Sequence, residues 1–300
     1  MTPPTLPAGV ARQSARLMRR LVFNQGLPWE DQRRRLGRAA GSGSIPDGLE
    51  LSTDVVAGVP VEVLTPSGHA PVGTLVHFHG GGFTVGTPAL GRGWAGALAL
   101  RLGLEVILPD YRLAPEHTFP AAHDDAVGVV GDVLRRFDPA SVAVSGDSAG
   151  GCLALAAAQA RVADGGTVPG TIVLLSPWLD LTVDRLADLA LVRRDPLLSP
   201  EWLAAAATAY AAGQLEDPRV SPLLGSLAGL PPVLIQGGTD DILAPDAARL
   251  AAALGDRATL SIGPGMWHDF SLQVGMLAAA DRALEVVVGH LAATLALAGD

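Results

Sequence analysis

The sequence predicts an α/β fold in which helices cover both faces of a mostly parallel β-sheet. Short aliphatic runs of strand length alternate with alanine-rich stretches of helix length, a pattern typical of βα units. The chain has 300 residues, of which 49% are hydrophobic, and this is enough for one large core. A serine between glycines directly follows one predicted strand, as in a sharp turn from strand to helix.

The N-terminal region is predicted to be helical and basic. Residues 1–38 carry eight arginines against Glu30 and Asp31, whereas the remainder carries 13 arginines and 28 acidic residues. Val10 and Leu17 belong to an amphipathic pattern that fits a membrane-surface or transit helix, or a helix folded onto the acidic body. We favour the folded helix, because the chemistry further along the chain needs a covered pocket. Residues 41–48, rich in glycine and serine, predict a linker or exposed loop.

The remaining elements follow in order. Residues 55–56 and 59–64, separated by Ala57-Gly58, predict an antiparallel hairpin. Further strands are predicted at 74–78, 105–108, 141–145, 171–175, 232–235 and 258–262, and helices near 91–102, 122–137, 149–163, 245–255 and 277–297. Between Pro177 and Pro231 the pattern predicts a helix near 201–213 and no strand, an insertion that together with residues 1–40 is expected to form a cap.

Composition excludes several functions. An acidic body with a net charge of -9 argues against nucleic-acid binding. The chain contains no lysine, which excludes a Schiff-base enzyme, a lysine general base and a Walker-type phosphate loop. Cys152 is the single cysteine, so we expect no intrachain disulfide, no structural zinc and a cytoplasmic location. With no secretory signal and no apolar run near the ~18 residues of a membrane span, no stable membrane insertion is expected.

The pentapeptide Gly146-Asp147-Ser148-Ala149-Gly150 carries the strongest chemical signal. It lies between a predicted strand and a predicted helix, so Ser148 would sit on a tight turn with its hydroxyl exposed. A Cβ at either glycine would obstruct that turn. Helix N–H groups behind the serine favour negative charge, and the pattern therefore predicts a nucleophile.

A glycine loop, His79-Gly80-Gly81-Gly82-Phe83, follows the predicted strand at 74–78. Consecutive glycines at the carboxyl end of a strand expose backbone N–H groups that can hold a developing oxyanion. A flexible loop or a phosphate cradle are the alternatives, but a cradle normally opens into a helix with the G-x-G-x-x-G spacing, which is absent.

A serine nucleophile needs a base, and His268 is the best placed of the seven histidines. It follows the last predicted strand in a loop that can reach back over the sheet edge. His77 and His290 are interpreted as structural, and His79 as a brace for the glycine loop. His77-x-His79 and His117/His123-Asp124 could nominally bind a metal, but neither set has a convincing third ligand, so no metal is expected.

The carboxylate that orients the base should lie between Ser148 and His268 in the chain. Asp240 and Asp241 follow the penultimate strand and both fit, so the residues alone leave two candidates. Asp246, a few residues further on, is interpreted as a helix cap.

Together these motifs resemble the hormone-sensitive-lipase-like branch of the α/β-hydrolases, bacterial carboxylesterases with H-G-G-G upstream of G-D-S-A-G. Further matching segments lie at 110–116, 119–126, 176–182 and 195–202, so the resemblance covers about residues 55–275. It implies an eight-stranded α/β-hydrolase core at 46–300, with a helical cap made of residues 1–45 and an insertion at 180–215. It also implies Ser148 as nucleophile, His268 as base, Asp241 as acid, and the N–H groups of Gly81, Gly82 and Ala149 as oxyanion hole.

The activity that the resemblance implies is hydrolysis of a small ester with a short-to-medium acyl chain through an acyl-enzyme, without cofactor or metal. An amidase, a deacetylase or a lactonase is compatible with the same triad, and so, at much lower weight, is a non-catalytic receptor. Relatives occur as monomers and homodimers, and the sequence does not decide between them. Trp94, Trp178 and Trp202 are candidates for pocket contacts, with core packing as the commoner role of such tryptophans.

Overall fold

Eight strands form a single β-sheet in the computed structural model, which describes residues 5–40, 45–183 and 188–297. The strands are β1 (Leu49–Val56), β2 (Val59–Pro66), β3 (Gly73–Phe78), β4 (Leu104–Pro109), β5 (Val142–Asp147), β6 (Thr171–Leu175), β7 (Val233–Gly238) and β8 (Ala258–Gly263). The α-helices are α1 (Ala8–Leu21), α2 (Trp29–Ala40), α3 (Arg92–Leu102), α4 (Ala121–Arg136), α5 (Ala149–Ala163), α6 (Leu189–Arg194), α7 (Pro200–Ala211), α8 (Ala244–Leu254) and α9 (Ala278–Thr294).

The strand order is β1-β2-β4-β3-β5-β6-β7-β8. The β1–β2 and β2–β4 pairs are antiparallel, and every pair from β4 to β8 is parallel. The predicted fold class, a mostly parallel eight-stranded sheet, is confirmed.

Helices bury both faces of this sheet. Alternate strand residues such as Val144 and Ile172 belong to a core shared with α4, α5 and α8. Their neighbours, such as Ala143 and Val173, belong to a second core that includes residues of α3 and α9, Trp94 among them. This alternation explains why the central strands read as continuous apolar runs rather than as a polar and apolar repeat.

The strand register brings the chemical motifs to one edge of the sheet. Phe78 of β3 pairs with Gly146 of β5, so the glycine loop and the serine turn leave the sheet side by side. Gly238 of β7 pairs with Gly263 of β8, so the loops that carry Asp241 and His268 also begin at the same level. The carboxyl ends of parallel strands are where α/β sheets place ligands.

Two elements differ from the sequence prediction. β1 begins at Leu49, six residues before the predicted Val55, because most of its residues are exposed and give no apolar alternation. The helix α6 was not predicted, since six residues are too few to show a helical period.

The N-terminal segment and the insertion, the two parts of the predicted cap, contact each other next to the glycine loop. Trp202 Nε1 of α7 donates a hydrogen bond to Gln32 Oε1 of α2 (2.9 Å), and the Trp202 and Phe23 rings meet edge to face at 5.1 Å. Arg33 Nε of α2 donates to the Thr84 carbonyl at 2.6 Å.

Residues 41–44 and 184–187 lie outside the described residues, and the division into segments 1–45, 46–300 and 180–215 stays a prediction. None of the described helices is long and apolar enough to cross a bilayer.

Candidate active site

Ser148 sits on the turn between β5 and α5 in a conformation that L-residues rarely adopt. Its φ of 52° and ψ of -118° lie outside the common left-handed region, and the residue is buried. The Ser148 N–H donates to the Leu175 carbonyl at 2.9 Å, and the Ser148 carbonyl accepts the Trp178 N–H at 3.0 Å. These two backbone hydrogen bonds therefore stabilise the strained conformation of Ser148.

The flanking glycines are required by close backbone contacts. A Cβ on Gly146 would lie 2.2 Å from the Gly150 carbonyl oxygen, and a Cβ on Gly150 would lie 1.9 Å from the Phe78 carbonyl oxygen. Neither contact can be relieved by a side-chain rotation, because both partners are backbone atoms. The steric argument made from the sequence thus agrees with the geometry.

Asp147 ties the glycine loop to this turn. Its Oδ2 accepts the Gly80 N–H at 2.9 Å, and its Oδ1 lies 3.2 Å from His77 Nε2. On the other side of the loop, Tyr111 donates its hydroxyl to the His79 carbonyl (2.7 Å) and stacks on the His79 ring at 4.3 Å. Burial lowers the pKa of His79, which is consistent with the bracing role predicted for it.

The three predicted oxyanion donors have their N–H groups available. Gly81 has φ 119° and Gly82 φ 59°, conformations that turn the loop back on itself. Within the described residues, the N–H groups of Gly81, Gly82 and Ala149 donate to no other group. Gly81, Gly82 and Ser148 line one small cavity of about 20 Å³, together with Trp202 and His268.

His268 and Asp241 form a buried pair on the neighbouring loops. Asp241 Oδ1 lies 3.1 Å from His268 Nδ1, and both residues are almost fully buried. The same Oδ1 accepts the Leu243 N–H at 2.8 Å, which fixes the carboxylate. Asp240 instead pairs with Arg12 of α1, at 2.9 Å, and is not a partner of His268.

Asp269, the residue after the base, occupies the other edge of the imidazole. Its Oδ2 lies 3.1 Å from His268 Nε2, the nitrogen that would take a proton from Ser148. Asp269 has φ 55°, and its N–H donates to Ser176 Oγ at 3.1 Å. No hydrogen bond joins Ser148 to His268 in the part of the chain that the structure describes.

The charges around His268 dominate its electrostatics. Burial by itself would lower the pKa of His268, but the carboxylates of Asp269 and Asp241 outweigh it and hold the pKa well above its usual range. Burial raises the pKa of Asp269 to about 7 against the opposing charge of His268. The imidazole of His268 therefore lies between two carboxyl groups, one at each ring nitrogen.

Asp195 is a site residue that sequence reasoning missed. It accepts N–H groups from Leu197 (2.8 Å) and Leu198 (3.2 Å) with Oδ1 and from Ile242 (3.0 Å) with Oδ2, so it joins the loop before α7 to the loop of Asp241. Burial and the nearby Asp241 raise the pKa of Asp195 to about 6. Asp195 lies in the segment 195–202 that resembles the family, and this was the one sequence feature that pointed to it. Nothing in that segment indicated which groups its carboxylate would bind.

Other candidates have structural partners. His77 Nδ1 lies 3.0 Å from Ser145 Oγ, and His290 Nε2 lies 2.7 Å from Thr171 Oγ1. Burial raises the pKa of the Cys152 thiol, which keeps it unreactive. Asp246 does not cap α8 as predicted; it accepts N–H groups from Leu179 and Asp180 across the loop after β6. Among the described residues, no three His, Cys, Asp or Glu side chains converge as metal ligands would.

A larger cavity of about 310 Å³ adjoins the small one. Both are lined by Phe23, Gly81, Leu197, His268 and Asp269. The remaining wall of the larger cavity is mostly apolar and includes residues of both N-terminal helices, among them Ala11, Ala15, Met18 and Leu36.

The three tryptophans considered from the sequence have different positions. Trp202 lines the small cavity beside Ser148. Trp94 packs in the core between the sheet and α3, and Trp178 packs against Phe83 at a ring distance of 5.9 Å. Of the three, Trp202 is the one that borders the cavity lined by Ser148.

The chain is similar to known proteins in sequence and in structure. Residues 75–272 match the family model described as the alpha/beta hydrolase fold. An acetyl-hydrolase of Streptomyces hygroscopicus is 38% identical over 225 residues, covering 73% of this chain and 75% of that protein. An ethyl acetate hydrolase of Pseudomonas putida is 32% identical over 277 residues, covering 84% of this chain and 85% of that protein. A crystal structure of a hormone-sensitive lipase from a metagenome library superposes with a TM-score of 0.90 at 30% identity, covering 97% of this chain and 99% of the other.

Proposed function

The chain belongs to the α/β-hydrolase fold family, in its hormone-sensitive-lipase-like branch, and from that premise we propose that Ser148, His268 and Asp241 hydrolyse an ester through an acyl-enzyme. The protein is a carboxylic ester hydrolase. The triad and the acyl-enzyme are the parts that we propose beyond that class.

In the first step, the Ser148 hydroxyl attacks the ester carbonyl while His268 Nε2 takes its proton. The Asp241 carboxylate, 3.1 Å from Nδ1, fixes the tautomer and stabilises the imidazolium that forms. The alcohol then leaves with the proton from His268. Water, activated by the same base, hydrolyses the acyl-enzyme and regenerates the Ser148 hydroxyl.

The developing oxyanion is held by the N–H groups of Gly81, Gly82 and Ala149. These donors are free within the described residues, and Ala149 opens α5, whose N-terminus favours negative charge. Each donor of this kind typically lowers the barrier by about 2.7–4 kcal/mol.

The observation that carries the proposal is the buried Asp241–His268 pair at the same sheet edge as the strained Ser148 turn. A histidine buried beside a carboxylate has many structural uses, but a serine at φ 52° with close-packed glycines on both sides has few. The two features together favour nucleophilic catalysis.

The substrate that we propose is a small ester with a short-to-medium acyl chain. The apolar lining of the 310 Å³ cavity supports an aliphatic acyl or alcohol group, and the covering helices limit its size. A short acyl chain is supported by two relatives, the acetyl-hydrolase of Streptomyces hygroscopicus and the ethyl acetate hydrolase of Pseudomonas putida.

The proposed location is the cytoplasm and the proposed assembly is a homodimer. The buried, unreactive Cys152 fits a reducing compartment.

β8 is an edge strand whose Leu260 and Ile262 are exposed, a surface that a second copy would cover. Light scattering coupled to gel filtration measures the assembly directly.

The decisive experiment combines Ser148→Ala with a serine-reactive phosphonate. We expect the wild-type protein to gain one phosphonyl mass at Ser148 and to lose ester hydrolysis, and Ser148→Ala to show neither labelling nor turnover. Cys152→Ala, a change in the same helix, serves as the matched control and should label normally. Ester hydrolysis by Ser148→Ala at the wild-type rate would refute the proposed triad.

A further inference from the structure

The side chain of Asp269 has no role in the mechanism above, yet it contacts the reacting nitrogen of the base. Its Oδ2 lies 3.1 Å from His268 Nε2, and its side chain is 16% exposed. Its Oδ1 is buried and has no hydrogen-bond partner among the described residues. A buried carboxylate oxygen without a donor is costly, so the contact with the imidazole has to compensate for it.

The same nitrogen is the one that must accept the proton of Ser148. Ser148, His268 and Asp269 line one cavity of about 20 Å³, which has room for little more than one water molecule. Asp241 faces Nδ1 and Asp269 faces Nε2, so when both carboxyl groups are ionised, each ring nitrogen has to carry a proton to donate to its carboxylate. An imidazole in that state cannot act as a base.

We propose that Asp269 is a positioning residue that competes with Ser148 for His268 Nε2 and thereby sets the pH range in which the esterase works. The proposal rests on the proposed triad. When the Asp269 carboxylate is ionised, it pairs with a protonated Nε2 of His268, 3.1 Å away. When the ring loses its Nε2 proton, the lone pair repels that carboxylate and becomes free to accept the proton of Ser148.

Acidic groups surround the imidazole from each element packed against it. Asp241 follows β7, Asp269 follows the base, Asp195 precedes α7 and Asp147 ends β5; each of these carboxylates influences His268 or its partners. Three arginines reach this region: Arg12 and Arg194 approach Asp240, and Arg19 approaches the backbone carbonyl of Asp195. Among the described residues, His268 is the one cationic partner within ion-pair distance of Asp269.

The backbone makes Asp269 well suited to a test by substitution. At φ 55° a glycine costs no strain, and asparagine tolerates this region better than most residues. Asp269→Gly and Asp269→Asn are therefore both expected to fold, with the N–H of residue 269 still able to donate to Ser176.

The experiment measures the pH dependence of kcat/KM for a short-chain ester. Without the negative charge of Asp269, Asp241 is the remaining carboxylate that opposes the effect of burial, so the pKa of His268 should fall. The acidic limb of the kcat/KM profile should therefore move to lower pH. A partner charge at this distance typically shifts a pKa by about 1–3 units, which corresponds to at least a tenfold gain in rate on the acidic limb. Asp256→Asn removes one charge from an exposed turn and is the control for net charge. It should leave the limb in place.

A second readout does not depend on turnover. In the Ser148→Ala protein, ¹⁵N NMR of the His268 ring should report an imidazolium at pH 7, and adding Asp269→Gly should lower the midpoint of its titration. An unmoved acidic limb in both Asp269 variants, an unmoved NMR midpoint, or an equal shift in Asp256→Asn would overturn the role of Asp269. Activity retained by Ser148→Ala would instead overturn the triad, so the two failures are distinguishable.

Discussion

Asp240 and Asp241 are neighbours in the chain, but their carboxylates bind partners from opposite ends of the sequence. Asp241 Oδ1 lies 3.1 Å from His268 Nδ1, and Asp240 Oδ2 lies 2.9 Å from Arg12 Nη2. One carboxylate thus contacts the proposed base, while the other joins α1 to the loop that carries Asp241.

This division gives a prediction with a built-in control. In Asp241→Asn, the amide cannot stabilise the imidazolium and favours the wrong tautomer, so kcat should fall by about 10⁴-fold, as in other Ser-His-Asp triads. In Asp240→Asn, an ion pair of partly exposed groups is lost, which is worth at most about 1 kcal/mol and should change kcat less than about fivefold. Steady-state kinetics of both variants decide between the two acids, and the reverse ranking would assign the triad to Asp240.

Gly82 should not tolerate a side chain. A Cβ there would lie 2.7 Å from Trp202 Cη2 and 3.0 Å from Ala206 Cβ, and its φ of 59° disfavours other residues. We expect Gly82→Val to displace the loop and its N–H, with a loss of about 10²–10³-fold in kcat for one oxyanion donor.

The control for Gly82 is Gly213→Val, which has a similar φ of 82° but no atom within 4 Å of its Cβ position. It tests the cost of backbone strain alone and should retain activity. Equal kcat values for the two variants would remove Gly82 from the oxyanion hole.

Asp147 should be required for the glycine loop rather than for proton transfer. Asp147→Ala leaves the buried Gly80 N–H without its acceptor, a cost of about 1–3 kcal/mol in the free energy of unfolding, and it also removes the carboxylate 3.2 Å from His77 Nε2. Asp147→Asn keeps an acceptor for Gly80 and should be milder. Thermal unfolding and kcat measured together check this: both should fall in Asp147→Ala, and a change in kcat with an unaltered Tm would contradict the bracing role.

Ala15 offers a test of where the acyl chain or the alcohol lies. It is a buried residue of α1 in the wall of the 310 Å³ cavity. Ala15→Leu should reduce kcat/KM progressively more as the acyl chain lengthens from two carbons, because the larger side chain fills the cavity. Ala204→Leu on an outer surface of α7 lines a different groove and should leave the chain-length profile unchanged. A uniform loss across all chain lengths in Ala15→Leu would place the acyl group elsewhere.

Local sequence patterns determined the architecture and most of the catalytic candidates. The alternation of strand and helix patterns predicted the sheet, and the parallel orientation of its strands places the loops after β3, β5, β7 and β8 at one edge. Gly146, Ser148 and Gly150 were recognisable because a tight turn restricts the residue types at positions close together in the sequence.

Tertiary structure decided the partners of individual side chains. The residues alone left both Asp240 and Asp241 as candidates, and the family resemblance favoured Asp241. Nothing in the sequence indicated that Asp195 would bind the Asp241 loop or that Asp269 would reach His268 Nε2. Such contacts depend on loop dihedral angles and on groups tens to hundreds of residues away, which a local pattern does not encode. The candidate catalytic residues could therefore be proposed from the sequence by type and position, while the contact between Asp269 and His268 Nε2 became visible only when the loops were packed together.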